Sequence, residues 1–332
     1  MSQTPLRAIH VGTGGRGTWP IDVVTADPNW ESVALVDVNE TFLERAREKT
    51  GLGKSACFSS LADAAKAVEA DAALICTPTE THAPFLRAAF EAGLHAVVEK
   101  GMTTDLPLAK ALVKEAEAAG VKFCVAQNYR YQSLQQTLKT ILDEGEHGAP
   151  EFLDLIHHRY RPEPRTLNYP NAMIWDMSCH HFDNLIFWFG LPQTVVSKTF
   201  NTSWSKYAHD AGVYAIFQYE NGMVCNYGLT HCAQNDSYYL LMHTDKGTLR
   251  TYDVKGVEFR PTGGGERETL DLLSLPRSEQ LVLNALRDYI QNDVEPGISG
   301  RANLRTLAMC QATCDAAETG QPIDIAQLLS DM

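Results

Sequence analysis

The stretch Ile9-His10-Val11-Gly12-Thr13-Gly14-Gly15-Arg16-Gly17 decides how the first part of this chain is read. An apolar run, Arg7–Val11, feeds a glycine-rich turn with G-x-G-x-x-G spacing at Gly12, Gly14 and Gly17. Each glycine answers its own steric demand. Gly12 allows a tight turn, Gly14 lets backbone approach a pyrophosphate, and Gly17 lets the next helix pack on the strand. The N–H groups opening that helix are free to meet phosphates, with Gly15 and Arg16 in the same turn. Arg16 reads either as a phosphate contact or as a solvated arginine. The next apolar run, Val33-Ala34-Leu35-Val36, ends in Asp37, about 20 residues past the last glycine. A carboxylate there accepts from the adenosine ribose diol and repels a 2′-phosphate, which favours NAD over NADP.

Outward from this turn, apolar runs alternate with amphipathic ones. Ala72–Cys76, Ala96–Glu99 and Lys122–Ala126 read as strands; Glu40–Thr50, Leu61–Ala67, His82–Ala92 and Pro107–Ala119 read as helices. Such alternation means parallel strands with crossover helices, an α/β Rossmann domain over residues 1–127. Gly93 and Gly120 stand where helix ends favour glycine. Residues 128–332 have another texture: a strand at 151–161, a helix over Trp175–Gly190, then strands from Thr194 to Arg260. Asn221-Gly222 and Lys246-Gly247 mark hairpin turns, and a helical run covers Ala302–Gly320. This pattern predicts an α+β domain with a mostly antiparallel sheet and helices on one face.

Composition narrows the partners. The chain has 332 residues, 44% hydrophobic and 21% charged, which is ordinary globular usage. A net charge of −13 argues against nucleic acid or an anionic membrane as partner. No stretch is long and apolar enough to span a bilayer, and the first strand begins too early for a signal peptide. None of the eight cysteines forms a Cys-x-x-Cys pair, so buried thiols in a reducing cytoplasm are expected rather than zinc.

Further motifs follow in order: Asp37-Val38-Asn39, Cys76-Thr77-Pro78-Thr79-Glu80-Thr81-His82, Glu99-Lys100, and Asp176-x-x-x-His180-x-x-Asp183. With the glycine turn, this series resembles the Gfo/Idh/MocA family of inositol and sugar dehydrogenases over nearly the whole chain. The resemblance implies a Rossmann domain followed by an open-sheet domain, and a homo-oligomer (dimer or tetramer) joined through the exposed sheet face. It also implies that Thr77 and Pro78 lie over the nicotinamide side, Glu99 binds the nicotinamide ribose, and Lys100 reaches both cofactor and substrate. Asn128 and Gln127 could meet the carboxamide. His82 lies on the cofactor side, although a structural helix-start histidine is the better reading of it. Two positions depart from the family pattern: Gly101 replaces the proline of Glu-Lys-Pro, and Ser178 replaces a glycine.

Asp176, His180 and Asp183, at offsets 0, 4 and 7 of one helix, should share a face. Alcohol oxidation needs a base near neutral pH, which an imidazole supplies. Asp176 would orient His180, Lys100 would hydrogen-bond the reacting oxygen, and Asp183 would take a neighbouring hydroxyl. Either Lys100 or His180 could accept the proton. In His157-His158-Arg159-Tyr160-Arg161, alternation puts His157, Arg159 and Arg161 on one side and His158 and Tyr160 on the other. The basic set could select a carboxylated or sulfonated sugar, or form a solvated edge or subunit contact. Tyr160 is the expected polyol contact, with His231, Asn235 and Tyr238 placed to close the pocket.

A metal at Asp176, His180, His181 and Asp183 is disfavoured, because adjacent histidines diverge by about 100° on a helix and no His-Glu-x-x-His occurs. No Gly-x-Ser-x-Gly elbow supports a hydrolase. The expected function is an NAD-dependent oxidoreductase acting on a secondary alcohol of a sugar, glycoside or cyclitol. The alternatives are an NAD-retaining glycosidase or lyase that oxidises its sugar transiently, and a non-catalytic NAD-binding sugar sensor.

Overall fold

A computed structural model describes residues 4–164, 167–252 and 256–330. The chain forms two compact units. The first runs to Asn128 and takes in Pro276–Leu304; the second holds Tyr129–Leu275 and resumes at Arg305.

Among the described residues the first unit carries six parallel strands: β1 (Leu6–Val11), β2 (Trp30–Val36), β3 (Cys57–Phe58), β4 (Ala72–Ile75), β5 (His95–Val98) and β6 (Phe123–Val125). Their order, β3-β2-β1-β4-β5-β6, reverses direction at β1, beside which the glycine turn leaves the sheet. β4 is buried along its whole length, as a central parallel strand must be. The helices are α1 (Thr18–Ala26), α2 (Glu40–Thr50), α3 (Leu61–Ala67), α4 (His82–Glu91) and α5 (Leu106–Ala118). Their starts were written locally. Asn39, Ser60 and Asp105 accept from the first-turn N–H groups of α2, α3 and α5. Gly93 and Gly120 adopt the left-handed backbone expected of them.

A single cut after residue 127 leaves 276–304 with the second domain, whereas these residues pack within the first unit. The Val125 N–H donates to the Ile298 carbonyl, closing the edge of β6. The Lys122 ammonium donates to the Tyr289 carbonyl at 2.6 Å and pairs with Asp293.

The second unit is built on a sheet of nine described strands: β7 (Pro150–Tyr160), β8 (Thr194–Phe200), β9 (Gly212–Gln218), β10 (Val224–Thr230), β11 (Cys232–Thr244), β12 (Gly247–Tyr252), β13 (Val257–Pro261), β14 (Glu268–Leu270) and β15 (Ile323–Asp324). The order is β14-β13-β12-β11-β7-β10-β9-β8-β15, antiparallel throughout except for the β7–β10 pair. Register sets two faces. Leu153, Leu155, Phe217, Cys225, Tyr227 and Leu240 are buried on one. Against it lie α6 (Ser133–Glu144) and α7 (Cys179–Phe189), tied together by the Trp188 indole donating to the Gln135 carbonyl. Phe182 of α7 packs edge-on to Phe217 and Tyr227. The other face exposes Phe152, Val196, Tyr214, Ile216 and Tyr239.

The helix expected over Trp175–Gly190 is not uniform. Met173–Ser178 is a π-helical segment that runs into α7. The Ser178 hydroxyl donates to the Met173 carbonyl five residues back, which suits the wider turn. All eight cysteines are free thiols and all but Cys57 are buried. No described helix is long and apolar enough to cross a membrane.

Candidate active site

The glycine turn is built by close approach. Gly12 has φ +78°, and a Cβ on it would lie 2.5 Å from the Cys76 carbonyl oxygen. A Cβ on Gly17 would lie 1.9 Å from the Gly12 oxygen, so that position admits no side chain. At Gly14 the clash would be with the Phe42 ring at 2.2 Å, a packing demand from within the protein. Gly15 and Gly17 bound a short 3₁₀ turn that opens α1. Asp37 leaves β2 beside this turn. Its Oδ2 accepts from the Thr13 N–H and hydroxyl at 2.7 and 3.1 Å, and its Oδ1 from the Asn39 N–H.

Arg16 is exposed, and its guanidinium pairs with Glu99 at 3.0 Å. The buried Glu99 Oε1 also accepts from the Trp19 indole at 2.9 Å, and its Oε2 from the Lys100 N–H at 3.0 Å. Lys100 is half-buried and the peptide that follows it, Lys100–Gly101, is cis. His82 is fully buried between two loops. Its Nδ1 faces the Gly101 carbonyl and its Nε2 the Thr77 carbonyl, each at 2.9 Å. Burial pushes its pKa down against the pull of those carbonyls. This corrects its placement as a cofactor ligand, since the ring is enclosed between the Thr77–Pro78 loop and the one after Lys100, where a neutral imidazole donates to one of the two carbonyls. The Thr77 hydroxyl accepts from Thr81, and Pro78 is exposed. Asn128 donates to Ser278. Gln127 is fully buried, and neither carboxamide atom has a hydrogen-bond partner among the described residues. A buried amide with an orphan donor and acceptor fits a second carboxamide, such as that of nicotinamide. With the glycine turn and Asp37, the residues present fit NAD.

In the second unit His180 is buried and stacks on Tyr129, centroids 4.0 Å apart and rings 8° from parallel. Asp176 lies on the π-helical segment, so the shared helical face for Asp176, His180 and Asp183 is corrected: only the last two are on α7. The substrate contact expected of Asp183 is corrected too. It is 1% exposed, its two oxygens accept from Arg130 at 2.7 and 2.9 Å, and the Thr306 hydroxyl stands 3.4 Å away. Both lone-pair directions toward Arg130 are taken, which makes Asp183 an anchor for α7.

The alternation read into β7 is present. His157 turns to the helix-covered face, while His158 bonds Tyr214 on the outer face. Tyr160 shares that outer face and stacks on Trp204, so its expected polyol contact is corrected by strand parity. Arg161 is exposed. On the inner face a chain of hydrogen bonds runs from Arg159 to His157 to His181 to Tyr227 to Ser178 to the Met173 carbonyl. A carbonyl only accepts, so every proton in the chain is assigned in turn. Ser178 donates to Met173, Tyr227 to Ser178, His181 Nδ1 to Tyr227, His157 Nδ1 to His181 Nε2, and Arg159 to His157 Nε2. Both imidazoles must then be neutral. Burial pushes His181 down to about 4; burial, helped by His181 and Arg159, pushes His157 down to about 2. His231 is likewise held at about 4 by burial, with the Asp176 and Asp236 carboxylates pulling the other way.

Beside Tyr129 lies a cavity of about 330 Å³, lined by α6, β7 and β11 residues that include Gln132, Gln135, His157, Arg159, Asp236 and Tyr238. Sequence reasoning missed Tyr129, Arg130, Gln135 and Asp236. Tyr129-Arg130 follows directly on Gln127-Asn128 and was within its reach. Asp236 was not, because a register shift between Cys232 and Ser237 takes it off the ladder. Among the described residues no cluster of three or more His, Cys, Asp or Glu side chains could hold a metal ion.

Comparison with known proteins gives the chain its kin. The oxidoreductase family's NAD-binding Rossmann fold matches residues 6–127, and the same family's C-terminal alpha/beta domain matches 171–325. The D-apiose dehydrogenase of Paraburkholderia graminis is 26% identical over 90% of this chain and 84% of its own. The inositol 2-dehydrogenase of Rhizobium meliloti is 24% identical over 95% and 98%. An Agrobacterium radiobacter oxidoreductase, solved with NAD+, L-tartaric acid and magnesium, superposes with TM-score 0.87 at 19% identity, over 98% of this chain and all of its own.

Proposed function

Because this chain belongs to the Gfo/Idh/MocA oxidoreductase family, we propose that it oxidises a secondary alcohol of a sugar, glycoside or cyclitol, with NAD as acceptor. One observation carries the reading: the strand, turn and helix from Leu6 to Ala26 form a dinucleotide cradle with Asp37 fixed beside it. Relatives named as apiose and inositol dehydrogenases support the substrate class. When bound, NAD supplies a hydride acceptor at its nicotinamide ring. The protein's part is proton handling and placement. Lys100 hydrogen-bonds the reacting oxygen and stabilises alkoxide character as it develops. His180 takes the hydroxyl proton, and the Asp176 carboxylate stabilises the resulting imidazolium. The Tyr129 stack holds the His180 ring plane. Glu99, whose carboxylate fixes the Lys100 N–H, would hold the nicotinamide ribose, Thr77 and Pro78 would hold the ring, and Gln127 and Asn128 would serve its carboxamide.

The test is NADH absorbance against a panel of neutral sugars, glycosides and cyclitols. Net NADH supports the reading. Glycoside cleavage without net NADH would move the protein to the NAD-retaining alternative, and sugar binding without either to the sensor. The cofactor assignment has its own test. Asp37→Ala should weaken NAD by roughly tenfold or more, the loss of a charged hydrogen bond, and raise the NADP-to-NAD ratio of kcat/KM. An unchanged ratio would misplace the ribose.

The seven buried free thiols suit a reducing cytoplasm. The outer sheet face suits a homo-oligomer, dimer or tetramer, because register lines up Val196, Ile216, Tyr214, Phe152 and Tyr239 on it as exposed apolar side chains. Ile216→Glu should therefore lower the solution mass measured by light scattering; an unchanged mass would take the assembly off this face.

A further inference from the structure

The cavity beside Tyr129 carries an inference that rests on the sugar-oxidoreductase reading and narrows its substrate. Tyr129 stacks on His180 and also lines this cavity, so the space lies one ring away from the imidazole assigned to catalysis. Its wall holds one guanidinium, Arg159, and one carboxylate, Asp236. The two stand 3.7 Å apart, close enough to balance charge and too far to hydrogen-bond. Both are held by neighbours on β7. The Asp236 Oδ1 accepts the Tyr160 N–H at 2.6 Å, which the register shift in β11 makes possible. Arg159 Nη1 donates to His157 Nε2 at the head of the one-way hydrogen-bond chain. That chain fixes His157 and His181 as neutral, so neither adds charge to the wall.

Two polar atoms on the lining residues are buried without partners among the described residues: Arg159 Nε, a donor, and Gln135 Oε1, an acceptor. Gln135 is only 2% exposed. A hydroxyl group both donates and accepts, whereas a carboxylate only accepts and would set a second negative charge near Asp236. We propose that Arg159 and Asp236 form a charge-balanced specificity element, through which this cavity takes a neutral ring bearing adjacent hydroxyls and discriminates against its carboxylated counterpart. The run of basic residues that suggests an acidic sugar in sequence is disarmed in three dimensions. His157 is neutral, Arg159 is matched by Asp236, and Arg161 is exposed.

The test is calorimetric binding with NAD present, using two probe pairs, D-glucose with D-glucuronate and D-galactose with D-galacturonate. Wild type should hold the neutral member of a pair at least about fivefold tighter. Asp236→Asn keeps the acceptor for Tyr160 and removes the charge, and should shift the ratio toward the acid by about five- to tenfold. Arg159→Gln should weaken the neutral member without reversing the ratio. A wild-type preference for the acids, a ratio unmoved in Asp236→Asn, or no binding of either pair would each overturn the proposal. NADH absorbance on the same samples separates the two readings. Predicted binding ratios without NADH would sink the dehydrogenase alone; NADH with an unmoved ratio would sink the specificity element alone.

Discussion

Lys100→Met and His180→Asn should each lower turnover by roughly 10²- to 10⁴-fold, the range expected for a lost oxyanion donor or general base. NAD affinity should stay within about twofold in His180→Asn, because no cofactor contact is assigned to that residue. The double variant is more telling than either single one. Two groups serving one chemical step are strongly non-additive, so the double loss should barely exceed the larger single loss. Losses that multiply would mean that the ammonium and the imidazole serve separate events. A pH profile assigns the proton: if His180 is the base, the acid limb of kcat/KM should vanish in His180→Asn and persist in Lys100→Met.

The second large effect concerns acid. His10, His157, His181 and His231 are buried and neutral, each with its pKa pushed down by burial from 6.5 to about 4, or about 2 for His157. The unfolded chain binds protons at these sites below pH 6.5 while the folded chain refuses them. Stability is therefore full above about pH 6.5 and is lost as pH falls toward 4. Each histidine costs about 1.4 kcal/mol per pH unit in that window. Four of them acting over one unit cost on the order of 5 kcal/mol, comparable to the whole stability of many domains. Thermal unfolding followed from pH 7.5 to 5.0 should show a steep fall beginning near 6.5. A flat profile down to pH 5 would mean that the buried imidazoles are protonated in the folded protein, and the one-way chain from Arg159 to Met173 would be broken. His181→Asn should lower the midpoint at pH 7.5 and flatten the slope below 6.5.

What the sequence made legible was local. The glycine turn, the span of α2 from Glu40 to Thr50 and the glycine ends at Gly93 and Gly120 are each dictated by neighbours in the chain. β3 escaped because two residues carry no periodicity. The return of residues 276–304 to the first unit rests on bonds between β6 and a segment more than 150 residues away, such as Val125 to Ile298. In the candidate site, parity on β7 separated His157 from His158, yet the same parity removes Tyr160 from the pocket face. Helical spacing grouped Asp176, His180 and Asp183. A π-helical turn displaces the first of these and Arg130 claims the last, and neither event has a signature in the spacing. Charge was misleading for a similar reason: the neutrality of His157 depends on Tyr227, 70 positions on, and on Ser178.

The most direct measurement follows the hydride itself. A polyol that reduces NAD in the panel would be prepared with deuterium at its carbinol carbons, and the reduced cofactor examined by mass spectrometry. One deuterium per NADH, with turnover slowed on the labelled alcohol, is the predicted result. Unlabelled NADH, or no reduction by any sugar, glycoside or cyclitol in the panel, would contradict it.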